Sequence, residues 1–308
     1  MYMTISTPAR RLLNRSIESL PPTLAATIRK RLLLATPEPL GTLKQFVAAS
    51  HATPHGAKAN CYAHFLGLPP GRTKDGRMRY GGLTDRHTKA QPGERCPSSY
   101  AKTPLAFHNR TTAAQQIIQR VTCDNPSVVY YLPGPYTRLH LSMPLPRGYH
   151  LGCAIVGATD YHFLRRESIG TVLRDPILAE IMDGETKRQL HQLKRAGKRF
   201  VWSHVSGWSG GMKFVDADGK VITNPTPKTA TNKNVQYMTR TDRANHNYDG
   251  LHYDHFVGLF VVKSRHARVS HNGARPVNVG AMRTRLIQRG ARPRTVDNVI
   301  ARFKQFKL

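Results

Sequence analysis

Asn60-Cys61-Tyr62-Ala63-His64-Phe65-Leu66-Gly67-Leu68 is the stretch from which the fold is read. Asparagine is a strong helix N-cap, because its side-chain oxygen accepts a hydrogen bond from a free N–H of the first turn. The apolar run behind it is helix-compatible, and Gly67 with Pro69-Pro70 stops it. The string therefore predicts a short helix over 60–67 with Cys61 at its head. Unpaired N–H groups and the helix dipole favour negative charge there, and a thiol so placed is biased toward the nucleophilic thiolate. The competing reading is an inert thiol, since an isolated cysteine is usually a small buried hydrophobe.

Upstream, residues 1–50 read as a basic helical leader, with helices over 8–19, 23–35 and 41–50 separated by Pro21-Pro22 and by Pro37 and Pro39. Downstream, 69–110 is a long loop dense in Gly, Pro, Lys and Arg, with Gln91-Pro92-Gly93 at its centre. Thr111–Val121 reads as a helix and Val128–Leu132 as a strand. Tyr149–Val156 and Tyr161–Arg165, joined across Ala158-Thr159-Asp160, form a hairpin. A basic amphipathic helix is expected over 176–196, then strands at Phe200–Val205 and Phe256–Val262. Asp218-Gly219 marks a hairpin over Phe214–Ile222. Helices mixed with hairpin-connected strands place the chain in the α+β class.

The charge is extreme. The 308 residues carry 47 Lys and Arg against 18 Asp and Glu, a net of +29. Self-repulsion of that size is best tolerated beside a polyanion. Nucleic acid is the first candidate partner, acidic protein neighbours in an assembly the second, and an anionic lipid surface the third. The tail, 263–308, supplies the clearest candidate contacts: Arg283, Arg285, Arg289, Arg292, Arg294, Arg302, Lys304 and Lys307, with Phe303 and Phe306 interleaved for base stacking or core docking. The four cysteines form no C-x-x-C pair; reduced thiols are the default expectation, with one disulfide left open. His246, His252 and His255 lie near Asp249 and Asp254, but their spacing does not share a strand face, so neither metal nor cofactor is expected. No long uncharged apolar run suggests a signal peptide or membrane span. A non-secreted location is expected, in a virion or inside a cell.

Taken in order, the motifs are Asn60-Cys61-Tyr62-Ala63, Gln91-Pro92-Gly93, Asp160-Tyr161-His162-Phe163, Trp202-Ser203-His204, Asp218-Gly219-Lys220-Val221-Ile222 with Asn224-Pro225, and Phe256-Val257-Gly258-Leu259-Phe260. This succession resembles a poorly characterised group of bacterial, phage and large-DNA-virus proteins with the pattern NCYAYA, PQPG, DYHxYR, WSHKxG, DxxGxxIxxP, FxGYF. The resemblance spans roughly 58–262. The group is similar to the papain-like superfamily of cysteine peptidases, amidases and transglutaminases.

The resemblance implies a papain-like domain over 51–262, with a cysteine helix packed on an antiparallel sheet and basic extensions at 1–50 and 263–308. Residues 172–200 look inserted. Arg165-Arg166 stands where the group has arginine-glutamine, and Val205-Ser206 where it has lysine-proline. Cys61 would be the nucleophile and a histidine its base. His162 is favoured by papain-like order, and alternation turns it away from Tyr161 and Phe163. His204 or Asp160 would orient the base, and Asn60 or a helix-head N–H would stabilise an oxyanion.

Three functions compete. One is a virion-associated, minor-capsid-type structural protein whose basic surface contacts genome or acidic capsid neighbours, in host cytoplasm or nucleus during assembly. Another is an active cysteine hydrolase using Cys61 and His162 on a peptide or amide substrate. The third is a nucleic-acid-binding protein without hydrolase use, although no helix-turn-helix, zinc-finger or RNA-recognition signature is present.

Overall fold

Six antiparallel strands in the order β3-β8-β4-β5-β6-β7 organise the chain. They are β3 (Val129–Leu132), β4 (Tyr149–Gly157), β5 (Tyr161–Ser168), β6 (Phe200–Val205), β7 (Met212–Lys213) and β8 (Tyr253–Lys263). A separate two-stranded ribbon pairs β1 (Pro70–Arg72) with β2 (Met78–Tyr80). The helices are α1 (Thr7–Ile17), α2 (Pro22–Leu34), α3 (Cys61–Phe65), α4 (Arg110–Asp124), α5 (Arg138–Ser142), α6 (Ile169–Arg174) and α7 (Gly184–Arg195). This computed structural model describes residues 7–34, 60–67, 70–72, 78–80, 91–96, 104–157, 160–175, 178, 182–205, 212–216, 219–225, 253–263 and 267. The expected helix over 41–50, the histidines 246 and 252, and the tail cations from Arg283 to Lys307 fall outside them. The class is α+β, as the pattern of elements implied. Among the described residues no helix is long and apolar enough to cross a membrane.

The expected hairpin is present as β4 and β5, with Cys153 opposite Leu164 and Ile155 opposite His162. Of the expected helix over 176–196, the described residues show Leu178 as helical, with Met182 N donating to Leu178 O at 3.0 Å, and then α7 from Gly184. Asp183 caps it by accepting from the N–H of Thr186 at 2.7 Å, and α6 occupies the stretch just after β5. The hairpin expected over 214–222 is reduced to one bridge, Val215 with Val221, around the Asp216 turn.

Side chains alternate between the two faces of the sheet. Ala154, Val156, Phe163, Val201, Val205, Phe260 and Val262 share a core with α3 and α4, through Cys61, Tyr62, Phe65, Ala113, Ile117 and Val121. Leu151, Cys153, Ile155, Leu164, Trp202, Leu259 and Val261 share a second core with α1 and α2, through Leu13, Ile17, Leu24 and Ile28. The leader helices are thus a layer of the fold. Ser16 donates to Pro133 O at 2.6 Å, Ser19 to Tyr131 O at 3.0 Å, and Arg31 to Leu145 O at 3.1 Å. The sheet leaves one face to the cysteine helix and the other to the leader.

Two glycines seat α3. Gly67, at φ +63, takes the left-handed conformation that ends the helix. Gly152 on β4 leaves the space that the Phe65 ring fills: a Cβ there would stand 2.4 Å from ring carbons Cδ2 and Cε2. Phe65 also packs edge-on to Phe260 at 5.5 Å and against Phe163 at 4.9 Å, so it has nowhere to retreat. Gly152→Ala is expected to lower unfolding free energy by about 1–3 kcal/mol through overpacking. Gly184→Ala, where an added Cβ meets nothing within 4 Å, should leave it unchanged or slightly raised. Urea unfolding of both variants measures the difference.

Candidate functional site

The helix carrying Cys61 forms as expected. Asn60 adopts an extended conformation and its side-chain oxygen accepts from Ala63 N at 3.0 Å. All five residues of α3 are buried, and Cys61 is 8% exposed. Tyr62 points into the protein, where its hydroxyl donates to Asp124 Oδ2 at 2.8 Å. That carboxylate also accepts from Gly93 N at 2.7 Å and Arg95 N at 2.8 Å. Asp124 therefore ties three segments together: the cysteine helix, the Gln91–Cys96 turn and the end of α4. A disulfide between Cys96 and Cys123 makes the same junction covalent. The expectation of reduced thiols does not hold for this pair, whose Cα atoms lie 5.7 Å apart because the turn folds back onto α4. Cys61 and Cys153 take no part in a disulfide.

Next to Cys61 on the same face stands Tyr161. Its hydroxyl hydrogen-bonds the side-chain oxygen of Gln91. Burial holds its phenol well above the ordinary value, and nearby Cys61, Asp160 and Glu94 add to the rise. Glu94, on the same turn as Gln91, is pushed up to about 7, mainly by burial. Nothing in the local sequence singled out Glu94 or Asp124. The Gln91-Pro92-Gly93 motif was the visible signal, and the turn it makes brings both Gln91 and Glu94 to Tyr161.

His162 and His204 come together, but on the other face. His162 is on β5 with Leu164, and His204 on β6 with Trp202. Their rings meet with His162 Nε2 3.1 Å from His204 Nδ1. His204 Nε2 lies 3.0 Å from Val215 O, an acceptor, so that nitrogen carries the proton. Nδ1 of His204 then accepts, and His162 Nε2–H donates to it. Tyr253 stacks on His162 at 5.5 Å and closes the pair over. Both rings are at most 2% exposed, and burial holds both well below the ordinary histidine value, His204 to about 4. Phe163, the residue between His162 and Leu164, is the one that packs on Tyr62 and Phe65 of the cysteine helix. The structure does not bring Cys61 and His162 onto one face. Asp160, at the start of β5, accepts from Tyr161 N at 2.8 Å and lies 3.3 Å from the Tyr253 hydroxyl, so it serves the strand entry.

Beneath α3, five buried side chains build a second polar cluster. His64 Nε2 is 2.8 Å from Ser203 Oγ, whose hydroxyl donates to Glu167 Oε1 at 3.1 Å. Glu167 in turn pairs with Arg165 Nε at 3.2 Å. His150 donates from Nε2 to Phe65 O at 2.6 Å and so satisfies a carbonyl at the end of the helix. Serine here sits between acid and histidine and bonds both. That order holds the helix to β5 and β6 and does not activate the hydroxyl as a nucleophile, which would need the histidine to be oriented by the acid. Asp254, near the candidate histidine group, is engaged by Arg110 at 2.8 Å.

No protein-family model, curated protein or solved structure matches this chain.

Five buried histidines, at 64, 140, 150, 162 and 204, are all held below the ordinary value of 6.5, with burial the first cause in each. Above pH 6.5 they are neutral folded or unfolded and bear no pH-dependent cost. As pH falls below 6.5 the unfolded chain takes up protons that the folded chain refuses. Each group then removes up to about 1.4 kcal/mol per pH unit until its folded value is reached. Glu94 and Asp124, both raised, act in the opposite direction. Glu94 gains stability for the fold as pH drops from about 7 toward 4.5. Five groups outweigh two. Chemical unfolding is therefore expected to show stability falling steeply between pH 6.5 and 4, and a flat profile across that window would contradict the neutral buried histidines.

Proposed function

We propose that this protein is a structural, polyanion-contacting component of an assembly, of the virion-associated type, built on a papain-like scaffold that no longer works as a Cys61–His162 hydrolase. The observation that carries this reading is the separation of the parts. A thiolate–imidazolium pair needs the two side chains within hydrogen-bonding reach, and here a β-sheet stands between Cys61 and His162. The histidines that would serve as base are instead locked to each other and to Val215 O. The charge of +29 supplies the second support, since no peptidase needs it and a genome or an acidic neighbour does. The scaffold contributes rigidity: a three-layer core, a disulfide-tied turn and buried polar ties under α3.

A second reading keeps thiol chemistry at Cys61 and replaces the histidine. Tyr161 stands in the field of both Cys61 and Glu94, and a carboxyl near 7 is matched to proton transfer at neutral pH. Gln91, bonded to the Tyr161 hydroxyl, is the side-chain amide nearest to that group. Selective labelling by a thiol-directed electrophile at neutral pH, lost in Cys61→Ala, would favour this reading over the first.

The structural reading predicts strongly salt-dependent binding to DNA or to acidic assembly partners. For duplex DNA, the logarithm of affinity should fall with the logarithm of salt at a slope of about −0.9 per phosphate neutralised. Cys61→Ala should bind with wild-type affinity. Fluorescence anisotropy across a salt series measures both, and absence of any binding at low salt would remove the reading.

A further inference from the structure

The cations that the sequence singled out lie in the tail, but the folded body holds a cationic site of its own. At the edge where β5 runs into α6 and the turn after α7 runs into β6 there is a cavity of about 250 Å³. It is lined by Ser168, Gly170, Lys194, Gly197, Lys198, Arg199 and Phe200. Its two rims are fixed to each other: Ser168 and Phe200 are paired across β5 and β6, and Ile169 N donates to Arg199 O at 2.9 Å.

Positive side chains often gather at a helix C-terminus to satisfy its free carbonyls. Here the backbone already does this. Ala196 N donates to Gln192 O, Gly197 N to Lys194 O, and Lys198 N to Leu193 O, all within 3.0 Å. The acids of α7 sit at its opposite end, where Asp183 caps the first turn and Glu185 is paired with Arg188. Among the described residues neither Lys194 nor Lys198 has a carboxylate within ion-pair distance. The Phe200 ring carries the guanidinium of Arg166 at 4.1 Å and that of Arg199 at 5.5 Å, so an aromatic surface stands among cations. The Ser168 hydroxyl makes no capping bond to α6.

We infer that this pocket is a binding site for the phosphodiester backbone of a nucleic acid. Lys194, Lys198 and Arg199 would neutralise phosphate, and the Ser168 hydroxyl would donate to a phosphate oxygen. Phe200 would offer its ring to the adjoining nucleoside. The size agrees: the cavity falls below the ~300–1,000 Å³ typical of sites that engulf a whole small molecule, and suits one repeat of a polymer passing over it. Cationic grooves with interleaved aromatics are the general solution for single strands. The inference rests on the polyanion reading and deepens it by naming the ligand class and the place.

The test is anisotropy of a fluorescein-labelled single-stranded oligonucleotide of about 20 nucleotides, titrated with the full chain over a salt series. One variant is Lys194→Gln/Lys198→Gln/Arg199→Gln. Its control is Arg10→Gln/Arg11→Gln/Arg15→Gln on α1, which removes the same charge from exposed positions elsewhere. The pocket variant should lose affinity by at least about 10-fold, and its salt slope should shrink by about 2, three contacts at roughly 0.7 each. The α1 variant should lose less than about 3-fold. Equal losses in the two would overturn the pocket while leaving a diffuse polyanion-binding protein. Absence of binding by the wild-type chain would overturn both.

Discussion

Strand β5 has a different neighbour on each side, and its two-residue period decides which side chain meets which. Tyr161, Phe163, Arg165 and Glu167 turn toward the cysteine helix. His162 and Leu164 turn toward the layer that contains the leader. Phe163 fixes the choice, because Tyr62 and Phe65 pack against it and Gly152 opens the space for Phe65. A slip of one residue would exchange the two sets and place His162 under Cys61. The cost would be Phe163 pulled from its aromatic cluster and the Arg165–Glu167–Ser203–His64 chain broken inside the core. The register that builds this core is the same one that keeps the thiol from the histidines.

The polar interior follows from that register. Each face holds buried groups that satisfy one another and keep the rings neutral: His64 with Ser203, His150 with Phe65 O, and His162 with His204. Buried polar networks of this kind favour one arrangement when fully bonded and are costly when broken. They give the body rigidity at the expense of acid tolerance. Asp124 does for the loops what β5 does for the sheet. Its three acceptor bonds hold the cysteine helix and the Gln91–Cys96 turn at fixed distance from α4.

Much of the framework was legible along the chain. The Asn60 cap and Gly67 stop define α3 by local chemistry, and apolar runs bounded by glycine define β4 and β5. Alternation alone already separated His162 from Tyr161 and Phe163. It could not say which of those faces the cysteine helix covers, because that depends on contacts about a hundred residues apart. The leader helices carried Leu13 and Ile17, and Leu24 and Ile28, at four-residue spacing. Their basic character read as an appendage, and only the apolar back of the sheet explains their burial. Within 176–196 the apolar spacing gave no sign of a boundary at Asp183, whose side chain caps the helix that starts at Gly184. Asp124 and Glu94 gave no local signal, since both act through partners distant in sequence. The cationic pocket was invisible for the same reason: Ser168 and Phe200 become neighbours only by strand pairing.

The separation of Cys61 and His162 onto opposite faces, with His162 neutral and bonded to His204, is open to direct measurement. It is tested most directly by NMR titration of the imidazoles in the wild-type chain and in Cys61→Ser, a change small enough to keep the fold. His162 is expected to be neutral at pH 7 in both chains, with the same titration in both. A His162 imidazolium at pH 7 in the wild type that becomes neutral in Cys61→Ser would show a thiolate–imidazolium pair and refute the separation of the two side chains.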